Sequence, residues 1–150
     1  MPMRISVKGR YALAAAVLMA EKHDSGECTT ISSISDRLGT SKIYMEQVFS
    51  MLKHGNVVKS IKGSRGGYQL TRMPSQLTAL HILSAVELSL FESTEPTVQE
   101  KMPEVDQTMR TFVFAPLDES LKDMLESITL SDLVAGLEHK RAEQNLMFYI

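Results

Sequence analysis

From Lys42 to Lys53 the apolar residues Met45, Val48, Phe49 and Leu52 recur at three- and four-residue spacing, which lines them along one side of a helix. Lys42, Glu46, Gln47, Ser50 and Lys53 fill the opposite side. Just ahead, Thr30 can accept a hydrogen bond from a free N–H in the first turn of a shorter helix over residues 31–38. Gly39 ends that helix, because a helix C-terminus favours one residue at positive φ. Ser41 can cap the next helix two residues later, so the two helices must cross through a very tight turn. Beyond Gly55, which closes the second helix, Val57, Val58 and Ile61 are set to face Tyr68 and Leu70 across the turn 62–67. Residues 30–72 therefore predict a helix-turn-helix followed by a two-stranded wing. The same arrangement occurs in small domains that never meet nucleic acid, so the pattern alone leaves DNA binding and a plain structural role both open.

The flanking segments are read by the same periodicity. A first helix from about Val7 to Lys22 spaces Tyr11, Ala14, Val17, Leu18 and Glu21 to bury one face. After the wing, residues 74–89 continue as a helix with Leu77, Leu80, Leu83, Val86 and Leu90 in step. Residues 91–116, interrupted by Pro96, Pro103 and Pro116, are expected to be the least regular and most mobile part. Pro116 opens a long helix in which Leu117, Leu121, Met124, Leu125 and Ile128 form an apolar seam. A single domain of this size does not easily bury that seam as well as the one before it, so a second copy is its natural cover, with an intramolecular core helix as the alternative. Thr129 and Asp132 fit a capping box that starts a short helix through Leu137. The fold class is thus mainly α: a winged helix-turn-helix over residues 1–80, linker and dimerisation helices over 81–138, and a C-terminal tail over 139–150.

Charge changes the picture more than composition does. The net charge is −2, but residues 1–80 hold 11 Lys and Arg against 5 Asp and Glu, while residues 81–150 hold 5 against 13. The basic half contains the reader, as neutralising phosphates requires. Lys8, Arg10 and Tyr11 lie near the start of the first helix, where N–H groups and cations can hold a backbone phosphate. At the wing tip, Lys62, Ser64 and Gly66 surround Arg65, which can reach into a minor groove while the glycines let the backbone approach a phosphate.

Other function classes lose ground. The apolar run from Tyr11 to Ala20 is too short to span a bilayer, and no signal layout precedes it, so a cytoplasmic protein is expected. The four histidines are scattered, with no metal-binding spacing and no nucleophile arrangement, so neither an enzyme nor a metal site is expected. Cys28 is the only cysteine, which excludes an internal disulfide. Its neighbours Asp24 and Glu27 weaken thiolate character, so a redox role there ranks below an incidental loop thiol.

The runs KGRYAL, YMEQVFSML, KSIKGSRGGYQLTR and LESITLSDL, in that order along nearly the whole chain, resemble the Rrf2 family of winged helix-turn-helix transcription regulators. The resemblance implies a two-fold dimer whose recognition helices enter successive major grooves roughly 34 Å apart and read an inverted repeat in double-stranded DNA. It places base reading at Ser41, Lys42, Tyr44, Glu46 and Gln47 and in the wing at Ser64 and Arg65, with Lys8, Arg10 and Tyr11 supporting the backbone. Glu46 can accept from a cytosine amino group and Gln47 can pair with adenine, or either can merely orient Lys42 or Lys53. Dimerisation is implied for Leu117, Leu121, Leu125 and Ile128. Several members bind an iron–sulfur cluster through three close cysteines in the segment matching residues 90–116, which here holds none, so no cofactor is expected.

Within the family, the chain looks most like repressors of cysteine metabolism, which share the KGRY start and the MFYI end. That likeness implies a complex with cysteine synthase through Met147, Phe148, Tyr149 and Ile150, the terminal carboxylate imitating an amino-acid substrate and O-acetylserine competing for the pocket. On physics alone the apolar tail packs on the protein's own dimer surface. The segments SLFESTEPTVQEKMPEVDQ and TFVFAP depart from the pattern and leave operator and co-effector open. The alternative signal is thiol oxidation at Cys28 or a small ligand near the linker.

Overall fold

Side-chain caps set the boundaries of the reader in this computed structural model, which describes residues 5–88 and 97–148. The Thr30 hydroxyl accepts from the Ser33 N–H at 3.2 Å and opens α2, Ile31–Leu38. Gly39 leaves it in the left-handed region at φ 67°, a conformation that costs glycine no Cβ clash. The Ser41 hydroxyl then accepts from the Tyr44 N–H at 3.1 Å and opens α3, Lys42–His54. Met45, Val48, Phe49 and Leu52 are all buried, as their spacing predicts.

The wing pairs β1, Val58–Ile61, with antiparallel β2, Gly67–Leu70. Val58 lies opposite Leu70, but Tyr68 lies opposite Ser60 and Ile61 opposite Gly67. A further rung comes from outside the hairpin. The Thr29 N–H donates to the Tyr68 carbonyl at 2.9 Å and the Tyr68 N–H donates back to Thr29 at 2.8 Å. The residue immediately before the α2 cap is therefore stitched to the wing. The Tyr68 ring packs on Phe49 of α3 at 4.9 Å between centroids, so wing and recognition helix share one core.

The first helix, α1, spans Val7–Glu21 and packs against α3 and α4, Ala79–Val86. Its buried face is Gly9, Ala12, Ala15, Ala16, Met19 and Ala20, whereas the expected Tyr11, Ala14, Val17, Leu18 and Glu21 are only half-buried. Alanines let neighbouring helices approach closely, and the larger side chains wedge along the flanks.

Three expected boundaries are corrected. No helix runs unbroken from residue 74: a single 3-10 turn, Pro74–Gln76, is followed by extended backbone at Leu77, and α4 begins only after Thr78. Thr78 starts it through a capping box in which its hydroxyl accepts from the His81 N–H and His81 Nδ1 accepts from the Thr78 N–H at 3.1 Å. The continuation to Ser89 and Leu90 lies outside the described residues.

The segment 103–116 is helical rather than irregular. Pro103 sits in the first turn of α5, Pro103–Met109, where its missing N–H breaks no bond. Pro116 does sit in the first turn of α6, Ala115–Glu126, as expected, but a π turn, Arg110–Phe114, joins that helix directly to α5, so the helical run begins earlier than the proline. The widened turn gives the Ala115 N–H a partner at the Arg110 carbonyl, just ahead of the residue that has no N–H to offer.

Thr129 and Asp132 do form the capping box, with bonds of 3.1 and 3.0 Å, but the helix it starts, α7, runs from Leu130 to Phe148 and far beyond Leu137. Most of residues 138–148 are good helix formers, and Gly136 does not interrupt the helix. The tail boundary at 139 therefore falls inside α7. At its start Leu130 is fully buried, its N–H donating to the Leu77 carbonyl at 2.9 Å. Ala79 N–H donates to Ile128 at 2.8 Å, so the α6–α7 connection is clamped to the base of the reader.

Candidate nucleic-acid interface

Burying one stripe of α3 leaves the other free, and the exposed residues are Lys42, Ile43, Glu46, Gln47, Ser50, Lys53 and His54, with the cap Ser41 exposed as well. Tyr44 differs from its neighbours. It is half-buried, and its ring meets Tyr11 of α1 edge to face at 5.6 Å and 72°. The pair ties the start of the recognition helix to the start of α1.

That start is itself fixed. Ser6 caps α1, its hydroxyl accepting from the Gly9 N–H at 3.0 Å, while its own N–H donates to the Glu87 carboxylate at 2.8 Å. Gly9 leaves room for this contact: a Cβ there would stand 2.3 Å from Glu87 Oε1 and 2.9 Å from the Ile5 side chain, so either side chain would have to shift. Lys8 and Arg10 flank this contact, Arg10 exposed and Lys8 half-buried.

At the wing tip Lys62, Ser64 and Arg65 are exposed. Gly66 serves the turn more than a phosphate approach, since a Cβ would lie 2.2 Å from the Ile61 carbonyl oxygen. Gly67, at φ 149°, would bring a Cβ to 2.6 Å from the Thr29 oxygen, so the close strand-to-loop stitch depends on glycine.

Among the described residues, Lys8, Arg10, Lys42, Lys53, Lys62 and Arg65 form no ion pair. Cations without internal partners can neutralise phosphates and release counterions without breaking anything first. The Tyr11–Tyr44 contact joins the α1 start to the start of α3, and the Phe49–Tyr68 contact joins the wing strand β2 to α3.

Two residues escaped the sequence reading. Ile43 is a large apolar side chain, 71% exposed in the first turn of α3, and its signal was its position off the buried stripe. Arg72, just past β2, has a buried Nε with no hydrogen-bond partner and lines a cleft of about 450 Å³ with His23, Glu27, Lys59 and Gln76. No sequence signal marks it, because the orphaned atom exists only once the wing has folded back on α1.

The remaining candidates lie away from this surface. Cys28 is half-buried in the loop before Thr29, with its Cβ 3.2 Å from where a Cβ on Gly67 would stand. It is therefore against the wing base and not on the segment 97–116. With no cysteine in that segment and no group of three metal-binding side chains among the described residues, the chain does not fit an iron–sulfur cluster held in the family's manner. Leu117 is 62% exposed, while Leu121, Leu125 and Ile128 are half-buried. Phe112, Val113, Phe114 and Met124 are exposed on the same helical run. Met147 and Phe148 are exposed at the end of α7, and Tyr149 and Ile150 lie outside the described residues. No helix among the described residues is long and apolar enough to cross a membrane.

Known proteins share this arrangement. Residues 5–136 match the family model Rrf2, iron-dependent transcriptional regulator. The chain is 33% identical to the HTH-type transcriptional regulator CymR of Bacillus subtilis over 99% of its own length and 100% of that protein. It is 32% identical to the HTH-type transcriptional regulator IscR of Pectobacterium atrosepticum over 91% of its length and 82% of that protein. The solved structure of CymR, the global cysteine regulator of B. subtilis, superposes with a TM-score of 0.68 at 33% identity, covering 89% of this chain and 97% of that one. The oxidized form of Staphylococcus aureus CymR gives 0.66 at 28% identity, covering 88% and 96%. These relatives are transcription regulators, not enzymes, and they carry the same winged reader. The chain belongs to the Rrf2 family of winged helix-turn-helix DNA-binding transcription regulators.

Proposed function

We propose that this protein is a homodimeric repressor of cysteine and sulfur metabolism genes, controlled by complex formation with cysteine synthase. The observation that carries the reading is the match to CymR, which runs the full length of both chains, whereas the IscR match stops at 82% of that regulator. The segment where a cluster-binding member places its cysteines has none, which favours a signal delivered by a partner over one delivered by a cluster.

Dimerisation is supported by the apolar residues that the π turn and α6 leave uncovered: Phe112, Val113, Phe114, Leu117 and Met124 are each at least 47% exposed. A second copy packing there also covers the half-buried Leu121, Leu125 and Ile128. Two α3 helices related by the dimer axis then read an inverted repeat, with Ser41, Lys42, Tyr44, Glu46 and Gln47 at the bases and Lys8, Arg10, Lys62, Ser64, Arg65 and Gly66 along the backbone and minor groove.

For the enzyme contact we assign Met147, Phe148, Tyr149 and Ile150. Met147 and Phe148 stand 77% and 91% exposed at the end of α7, a large apolar area for one end of a helix to leave in water. The test is calorimetry of the full-length protein with cysteine synthase, beside a version lacking residues 147–150 and with O-acetylserine added. Binding lost on truncation and competed by O-acetylserine supports the reading. No binding by the intact protein removes it.

A second signal has one observation in its favour. Cys28 directly precedes Thr29, and its Cβ lies close to the wing base at Gly67, so oxidation of its thiol by a peroxide to a sulfenic acid, with release of water, adds an oxygen next to the residue that makes the stitch to Tyr68. Peroxide that lowers DNA affinity in wild type but not in Cys28→Ser supports this signal, and equal affinities remove it.

A further inference from the structure

We infer that Ile43 is a specificity-determining residue that reads the methyl group of a thymine in the major groove. The inference rests on the DNA-binding role of α3 and adds a base contact to it. Ile43 lies in the first turn of α3, directly after Ser41 and Lys42, at the end of the recognition helix that enters deepest into the groove. It is 71% exposed, although α3 buries Met45, Val48, Phe49 and Leu52 without it. Gln47 follows four residues later and Ser50 seven, so Ile43, Gln47 and Ser50 occupy one exposed helical face, with Glu46 beside them.

Every other residue on that face is polar. An isoleucine there contributes nothing to the core, and its β-branching makes it a poorer helix former than alanine. Its chemistry does match one feature of the groove. Among the base edges exposed there, the thymine methyl is the apolar group, and apolar side chains recognise it by contact. Gln47, one turn further on, has the donor and acceptor that pair with adenine, so the two side chains together favour an A·T-containing step in each half-site. The stiffness of an isoleucine side chain in a helix also holds its methyl groups in place before DNA arrives.

The test starts from the DNA site that the full-length protein selects out of a random duplex pool. Each thymine of that site is then replaced singly by deoxyuridine, which removes only the methyl, and affinity is read by fluorescence anisotropy for wild type and Ile43→Ala. Burying one methyl corresponds to roughly 4-fold in affinity. Wild type is expected to lose about that factor at one thymine per half-site, and Ile43→Ala to lose nothing further there while responding as wild type does at every other thymine. The exposed position and alanine's better helix propensity mean that Ile43→Ala should melt no lower than wild type, which separates a reading defect from a folding one. The assignment is overturned if wild type ignores every deoxyuridine, or if Ile43→Ala keeps the same methyl dependence at the same thymine. A pool that yields no enriched sequence overturns DNA reading by α3 itself.

Discussion

Tyr11 and Tyr44 meet edge to face, 5.6 Å between ring centroids, and so join the first turns of α1 to the first turn of the recognition helix. Both rings are half-buried, and both helix starts carry cations that form no ion pair among the described residues. The contact sets the distance between the start of α1, proposed to hold a phosphate, and the face of α3 proposed to read bases. Replacing either ring by alanine should lower stability, and a double-mutant cycle in urea should return a coupling of about 1 kcal/mol. A coupling near zero would mean that the rings are merely adjacent.

Gly9 is held by a different constraint. A Cβ at that position stands 2.3 Å from Glu87 Oε1, so Gly9→Ala must displace the carboxylate that receives the Ser6 N–H. The expected loss is about 1–3 kcal/mol in chemical unfolding. Part of it should return in Gly9→Ala/Glu87→Ala, because removing the carboxylate clears the space. If the double variant is no more stable than Gly9→Ala, the conflict lies with Ile5 instead.

Gly136 offers the opposite sign. It lies exposed in the middle of α7, nothing stands within 4 Å of an added Cβ, and its φ needs no glycine. Gly136→Ala should raise stability by about 0.5–1 kcal/mol, read as a higher urea midpoint at unchanged slope. A destabilised variant would show that the open side of α7 is occupied in solution.

At the wing tip, Arg65→Ala should weaken binding to the selected site by at least roughly 1 kcal/mol and reduce the slope of log affinity against log salt by about one. Unaltered affinity and slope would mean that the wing does not touch this DNA. For the dimer surface, Leu117→Glu should shift sedimentation equilibrium toward monomer, since it places a charge in the middle of the proposed contact.

Much of the reader was legible because its signals are local. Thr30, Gly39, Ser41, Thr129 and Asp132 act within three or four residues, and each does what its side chain or backbone freedom dictates. Long-range packing was not legible. The α1 face was misread because large apolar residues draw attention, while close approach to α3 and α4 selects the alanines. Pro103 was read as a break, yet it starts a helix, and the helix that Pro116 was read to open is joined to it through a π turn placed just ahead of the missing N–H. Thr78 passed unnoticed inside an apolar run, although it caps α4 with His81. In the interface, the charged residues were found from chemistry, but Ile43 and Arg72 needed the folded surface to reveal one side chain out of the core and one nitrogen without a partner.

The central claim is a two-fold DNA reader built on paired α3 helices. It is tested most directly by selecting sites from a random duplex pool with the full-length protein, then comparing affinity for the whole site with that for an isolated half-site. An inverted repeat with half-sites about one helical turn apart, bound by a dimer far more tightly than either half, is the expected result. A single unpaired half-site bound as tightly as the whole, or a monomer saturating the DNA, would contradict it.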